Sequence, residues 1–366
     1  MLDYCFSSMI NTLKKKYSFN SSIYILFFIF LVFFIKFSTI SAKANSYKIV
    51  DLEVSKTYDN NFNKETVIDI AFEKAFEELI LRITTLKYDE LNQLTNLKTI
   101  YSLVESFSIV DEKFIDNKYV SKFEVEFDKK QVFRYLERKN IFPSIPKEKD
   151  LLLIPILIDN NKKQILLFSE NSFYMNWNKS NKKYHLLNYI LPNEDIEDIN
   201  IIKKNINNIE EYSFNEIISK YDINDYIILI LFQKKNNFSA LMKTNLNNKL
   251  VISNKNFEWE ENQSIEKIIE DLKIEFENQW KKLNIINVSI KLPITLSVNS
   301  KNYKLIQNLE KKLNELDLIS NFYIESFNNK KLIYKIIYNS TPDKFINEFS
   351  NESIKLNTTK STWSIE

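Results

Sequence analysis

The chain of 366 residues contains no glycine, where ordinary usage of about 7% would supply roughly 26. Every motif that needs a residue without Cβ, for close backbone approach or positive φ, is therefore missing. That excludes the phosphate loop, the dinucleotide fingerprint, the hydrolase nucleophile elbow and the EF-hand calcium loop. One histidine, His185, and one cysteine, Cys5, exclude zinc sites built mainly from His and Cys, di-iron Glu-x-x-His pairs and haem-attachment motifs. Arginine is limited to Arg82, Arg134 and Arg138, and proline to six residues. Lysine, asparagine, isoleucine, phenylalanine and tyrosine fill the space, as the codons of an AT-rich genome favour. The 50 basic and 48 acidic residues are interspersed, so the chain carries no basic footprint for nucleic acid.

The amino terminus has the order of an export signal. Lys14, Lys15 and Lys16 precede an unbroken apolar run from Ile23 to Ile35, and Ser41-Ala42-Lys43-Ala44 follows as a small-residue cleavage site. A run of 13 residues (23 to 35) is short of the roughly 20 that span a membrane, so residues 1–44 read as a signal peptide recognised at Ala42 and Ala44. An uncleaved inner-membrane anchor using residues 23–40, with Lys36 snorkelling, is the alternative. In either case the bulk lies outside the cytoplasm, and membrane contact runs only through this segment. Cleavage after Ala44 removes five lysines and Asp3, leaving 45 basic and 47 acidic residues and no cysteine. Stability must then come from apolar packing, not disulfides.

The remainder divides into modules at 45–142, 148–284 and 285–366. In the first, a strand from Tyr47 to Thr57 is followed by a helix capped by Asn63, with Val67, Ile68, Ala71, Phe72, Ala75, Phe76, Leu79 and Ile83 at helical spacing. A strand spans Glu105 to Phe114. Alternation over Tyr119 to Phe127 marks a half-buried strand, and Asp128 with Gln131 opens another helix. Pro143 and Pro146 lie in the connector. The middle module begins with the continuous apolar strand Leu151 to Asp159. A hairpin return (Gln164 to Phe168), an apolar segment (Leu186 to Leu191) and a helix near Phe214 to Lys220 follow. Strands at Tyr226–Phe232, Phe238–Thr244 and Leu250–Trp259 then lead to the helix Ser264–Leu283. The last module has a strand to Val298, a helix striped by Ile306, Leu309, Leu313 and Leu316, a hairpin and a short helix after Pro342. The fold class is mixed α+β: ferredoxin-like or related sandwiches at each end flanking an α/β middle domain. Asparagine pairs at 160–161, 236–237, 247–248 and 328–329 stand where hairpin tips need positive φ.

The run Leu191-Pro192 through Glu194-Asp195-Ile196-Glu197-Asp198, with Ile217-Ile218-Ser219-Lys220-Tyr221 and the strand Asp225 to Leu231, resembles a family of exported bacterial envelope proteins, the domain of unknown function 2066. The resemblance implies an envelope location and no established activity. The chain departs from the family's pattern at Asp222, where glycine is usual, and at Ile199, where a basic residue is usual. The order of the middle module is also similar to the α/β domains of periplasmic adaptors, an analogy of fold alone.

Candidate chemistry is thin. Glu194, Asp195, Glu197 and Asp198 form the weak candidate interaction site: oxygen ligands suit a divalent cation or general-acid work, but acidic residues also gather at helix starts to complement the dipole. The helix-start role is the expected one. His185, with no serine or cysteine at a meaningful spacing, reads as a surface or half-buried structural residue, and Trp177, Trp259, Trp280 and Trp363 read as core in preference to a sugar groove. The expectation is a non-catalytic binding or scaffold protein of the periplasm with an envelope protein partner and no cofactor. A carboxylate-dependent hydrolase or carbohydrate-active enzyme using residues 194–198 is the alternative.

Overall fold

A computed structural model of the chain describes residues 47–365, apart from 93, 95, 180, 235–236 and 259–263. The expected signal segment 1–44, with Ala42 and Ala44, lies outside the described residues, as do Asn236 of one expected hairpin tip and Trp259. Among the described residues the fold is mixed α+β, with ten helices and three sheets. Tyr47 to Glu366 forms one compact unit.

The first sheet has strands β1 (Lys48–Thr57), β2 (Val104–Ile115) and β3 (Lys118–Phe127) in the antiparallel order β1-β3-β2. Helix α1 (Lys64–Ile83) lies on it, and the short α2 (Tyr88–Leu91) and α3 (Leu97–Leu103) link it to β2. Asn63 caps α1 by accepting from the Glu65 amide, and Ala71 and Ala75 are fully buried, which allows helix and sheet to approach closely. The alternation in β3 sends Phe123, Val125 and Phe127 inward. Asp128 accepts from the Lys130 and Gln131 amides and starts α4 (Lys129–Arg138).

The central sheet runs β5-β4-β7-β8-β9, with β6 pairing to β4 off that path. Its strands are β4 (Lys149–Asp159), β5 (Gln164–Leu166), β6 (Leu187–Ile190), β7 (Tyr226–Lys234), β8 (Asn237–Leu246) and β9 (Lys249–Glu258). β4, β6 and β7 are mutually parallel, and the remaining pairs are antiparallel. Burial on both faces explains the unbroken apolar run of β4. One face packs on α5 (Ser172–Asn176) and α8 (Ile265–Leu283), through Phe173, Trp177, Phe276 and Trp280. The other packs on α6 (Ile196–Lys204) and α7 (Asn215–Ile218), through Ile202, Phe214 and Ile217.

The third sheet has the order β11-β12-β10-β14-β13. β10 (Leu292–Asn299), α9 (Tyr303–Glu315), β11 (Ile319–Phe327), β12 (Lys331–Tyr338) and α10 (Pro342–Asn351) match the expected elements, and the short β13 (Leu356–Asn357) and β14 (Trp363–Ile365) are additional. Leu309 and Leu313 of α9 are buried, with Ile306 partly so. Buried side chains of 47–136 and of 286–354 form one continuous apolar cluster. Lys129 fastens the join, donating to the Leu316 carbonyl at 2.9 Å and pairing with Asp317 at 3.2 Å.

The asparagine turns divide. Asn247 and Asn248 both have positive φ (51° and 61°), the pattern of a type I′ hairpin. At 160–161 the positive φ falls instead on Lys163, and the Asp159 carboxylate accepts from the Asn161 and Lys162 amides. At 328–329 the Asn328 side chain accepts from the Lys330 and Lys331 amides, so a side-chain turn replaces the left-handed residue. Asp116 and Asn117, which the pattern of paired asparagines did not include, take positive φ between β2 and β3.

Candidate functional site

The parallel strands place the acidic segment at a topological switch. From β4 the chain crosses one face through α5 to reach β6, and from β6 it crosses the other face through α6 and α7 to reach β7. Ligands of open α/β sheets bind in the crevice beyond the strand ends at such a reversal. Here β6 stops opposite Leu152 and β5 begins opposite Leu157, so the edge of β4 is left open only between them. Pro155 sits at that gap: its carbonyl accepts from Asn171 Nδ2 at 3.0 Å, so its backbone points away from β7 toward a side with no strand at that level. A residue without an N–H therefore loses no ladder bond there. Ile154, Pro155, Phe168, Tyr174, Pro192 and Asp198 are among the residues lining a small crevice of about 10 Å³, room for about one water. Phe168 holds a φ of 46°, a strained value for a bulky residue. The Tyr174 hydroxyl donates to the Pro192 carbonyl at 2.8 Å, and the Tyr221 hydroxyl accepts from the Asn193 amide at 2.9 Å, which pins the loop after β6.

Asp195 plays the expected part, capping α6 by accepting from the Glu197 amide at 2.9 Å. Lys220, beyond the end of α7, reaches Asp195 Oδ2 and Asp198 Oδ1, each at 2.7 Å, and Glu197 at 3.5 Å. Its hydrogen bonds hold Asp195 below the usual carboxylate range, and the two aspartates raise Lys220 in turn. Glu194 stands apart, accepting from Ser169 Oγ at 3.3 Å, and the Glu197 side chain is 80% exposed. Asp198 departs from a solvated helix start. Its side chain is 1% exposed, because the first turn of α6 is pressed onto the crevice, and its Oδ2 has no hydrogen-bond partner. Among the described residues lining the crevice, Asp198 is the one carboxylate, and Asp195 approaches it through their shared partner Lys220. Among the described residues, no group of three or more His, Cys, Asp or Glu side chains is placed to hold a metal ion.

A second cluster went unmarked in the sequence. Glu270, Lys273, Glu277 and Lys281 recur at spacings of three, four and four along α8, and the last three are buried beside Phe276 and Trp280. Glu277 Oε1 accepts from the Leu186 and Leu187 amides at 2.9 and 2.8 Å. Lys273 donates to Asn181 Oδ1 at 2.6 Å and stands over the rings of Trp177 and Tyr189. Lys281 donates to the Leu81 carbonyl at 2.5 Å, one of the last carbonyls of α1, which have no partner within the helix. That end of α1 is completed by Thr84 on Ile80 and by Ser144 on Ile83. The cation also complements the negative end of the helix dipole. Burial pulls both lysines down to about 8, against the opposing pull of Glu277, and pushes Glu277 up.

His185 is more enclosed than expected. Its side chain is 3% exposed, both ring nitrogens lack partners, and its ring meets Tyr184 edge-on at 5.0 Å. Burial, then Lys273, Lys281 and Lys182, lowers it to about 4, and Glu270 Oε1 lies 3.9 Å from Nε2. Trp177 and Trp280 are fully buried and Trp363 is partly so, as core residues. The signal for this cluster was present as charges at helical spacing on the side of α8 that carries its apolar residues. No family model matches the chain, and no curated protein matches it.

Proposed function

We propose that the chain is an exported protein of the bacterial cell envelope that works without catalysis, as a periplasmic scaffold that docks protein partners along its sheet edges. The observation that carries this reading is that an outermost strand of each of the three sheets carries a group of exposed apolar side chains. Phe107, Val110, Phe114 and Ile115 stand on β2, Leu250, Val251 and Ile252 on β9, and Tyr323, Ile324 and Phe327 on β11, all 39% exposed or more. Each of these strands is the outermost of its sheet. An edge offers a row of unpaired N–H and C=O groups, and apolar side chains beside it give an incoming strand a specific grip. The export signal ending at Ala44 and the resemblance to the envelope family of unknown function 2066 support the compartment. No helix among the described residues is long and apolar enough to cross a membrane.

Two experiments test the proposal. Amino-terminal sequencing of the protein from a membrane-free envelope fraction should begin at Asn45, and an intact chain that resists salt extraction would support the anchor at 23–40 instead. A photo-crosslinking residue at Phe114, Leu250 or Phe327 should form adducts with envelope proteins in living cells, while the same residue at the helical position Tyr303 should not. Absence of adducts at all three edges refutes the docking role. The alternative of a carboxylate-dependent enzyme is favoured by one observation, the buried and partnerless Oδ2 of Asp198 at the switch-point crevice. Activity toward a glycoside or ester that Asp198→Asn abolishes would establish it.

A further inference from the structure

The edges of the three sheets are not equally open. β1 is broken by a bulge between Ile49 and Leu52, with Asp51 at a φ of 54°. β2 shifts register twice, between Val104 and Ser106 and between Ile109 and Asp111. β11 also shifts twice, between Ile319 and Asn321 and between Ile324 and Ser326. β5, β6 and β13 have three, four and two residues. Bulges twist an edge and short edges offer few groups, so each of these can take a short partner segment but resists joining edge to edge with another sheet. β9 carries neither: its ten residues pair with β8 from Lys249↔Leu246 to Glu258↔Asn237 without a shift. Among the described residues, nothing pairs with its outer side. At the start of this regular edge Leu250, Val251 and Ile252 are 55%, 39% and 59% exposed.

Resting on the docking role proposed above, we infer that the first half of β9 pairs antiparallel with β9 of a second copy, centred on Val251, to join the two central sheets into one. Symmetry restricts the register. A two-fold axis between two edges of one continuous sheet stands normal to that sheet and keeps each face on its own side. The strand must then pair about a residue, because directly opposed residues share a face. Centring on Val251 sets Leu250 opposite Ile252 on one face and Val251 opposite itself on the other, with Lys249 opposite Ser253. Moving the centre to Ile252 sets Lys249 opposite Lys255 and Leu250 opposite Asn254, and like charges directly opposed are unfavourable. Moving it to Leu250 sets Val251 opposite Lys249 and Ile252 opposite Asn248. Only the Val251 register sets all three apolar residues against apolar residues. The contact also closes: each copy offers one such edge, so pairing consumes both and stops at a dimer.

The test uses the chain from Asn45 onward, whose described residues form one compact unit and which has lost Cys5. Sedimentation equilibrium at micromolar concentration should show a dimer. Val251→Lys, at an exposed edge position, should weaken dimerisation at least tenfold while leaving the melting temperature of the monomer unchanged. A cysteine at 251 supplies a second measurement that does not depend on disrupting anything. Opposed residues have Cα atoms about 4.5–5.5 Å apart, within the span of a disulfide. Val251→Cys should therefore cross-link to itself under mild oxidation. Ser253→Cys, about 13 Å from its own copy at 3.3 Å per residue, should not. A parent that stays monomeric, a dimer indifferent to Val251→Lys, or equal cross-linking at 253 overturns the inference. A monomeric parent that still forms envelope-protein adducts at Leu250 would overturn self-pairing and leave the docking role standing. A dimer without such adducts at any edge would do the reverse.

Discussion

Replacing His185 by phenylalanine should flatten the acid sensitivity of the fold. The folded chain binds a proton at His185 more weakly than the unfolded chain does, since burial and Lys273, Lys281 and Lys182 lower it from 6.5 to about 4. Its contribution is therefore fully present above pH 6.5 and is lost as pH falls toward 4. That interval sets an upper bound of about 3 kcal/mol, and relaxation and water entry around the imidazolium reduce it to about 2 kcal/mol. Burial raises Glu77, Glu78, Glu277 and Glu348, which act with the opposite sign, gaining stability on acidification. The parent's curve alone is then a mixture, and the difference between parent and variant isolates the imidazole. Phenylalanine also removes two buried nitrogens that have no partners, so the variant should be at least as stable as the parent at neutral pH. Urea unfolding followed by fluorescence of the buried Trp177 and Trp280 measures both. The advantage of His185→Phe should grow by about 2 kcal/mol between neutral pH and pH 4. An advantage that does not change with pH refutes the reasoning. An advantage that shrinks on acidification would mean that Glu270 holds the native imidazole charged.

Glu277→Ala should destabilise by about 3–5 kcal/mol, because it strands two buried amides and leaves Lys281 without its carboxylate; Glu277→Gln, which keeps an acceptor, should lose less in the same urea titration. Leu309→Ala, at a fully buried site, should cost about 2–5 kcal/mol, while Lys311→Ala, on the solvated side of the same helix, should leave the melting temperature in place. Equal effects would mean that α9 presents a different face to the sheet. Asp195→Asn should be near neutral because asparagine also caps, whereas Asp198→Asn removes a buried partner of Lys220 and should lower the melting temperature distinctly more. Calcium should shift neither, since Lys220 already occupies these carboxylates, and a calcium-dependent rise that Asp198→Asn abolishes would refute that assignment.

The elements were legible because their signals are local. Asn63 before an apolar stripe, Asp128 before α4, the alternation of β3 and the unbroken run of β4 each specify an element within a dozen residues, and all stand close to where the sequence placed them. The helix-start role of Asp195 was legible for the same reason. β13 and β14 were not, because two or three residues carry no measurable periodicity and pair only where β10 presents an edge. Neighbours far apart in sequence were equally hidden. Lys220 meets Asp198 across 22 residues, Lys281 meets the end of α1 across 200, and Lys129 joins the outer modules across 187. A charge at helical spacing looks the same in sequence whether it faces water or a neighbouring helix end. By itself the sequence determined which of the longer segments become helices and strands and which glycine-, histidine- and cysteine-based motifs it lacks. The packing of modules against one another decided which ionisable side chains are buried, because burial depends on contacts that no local window contains.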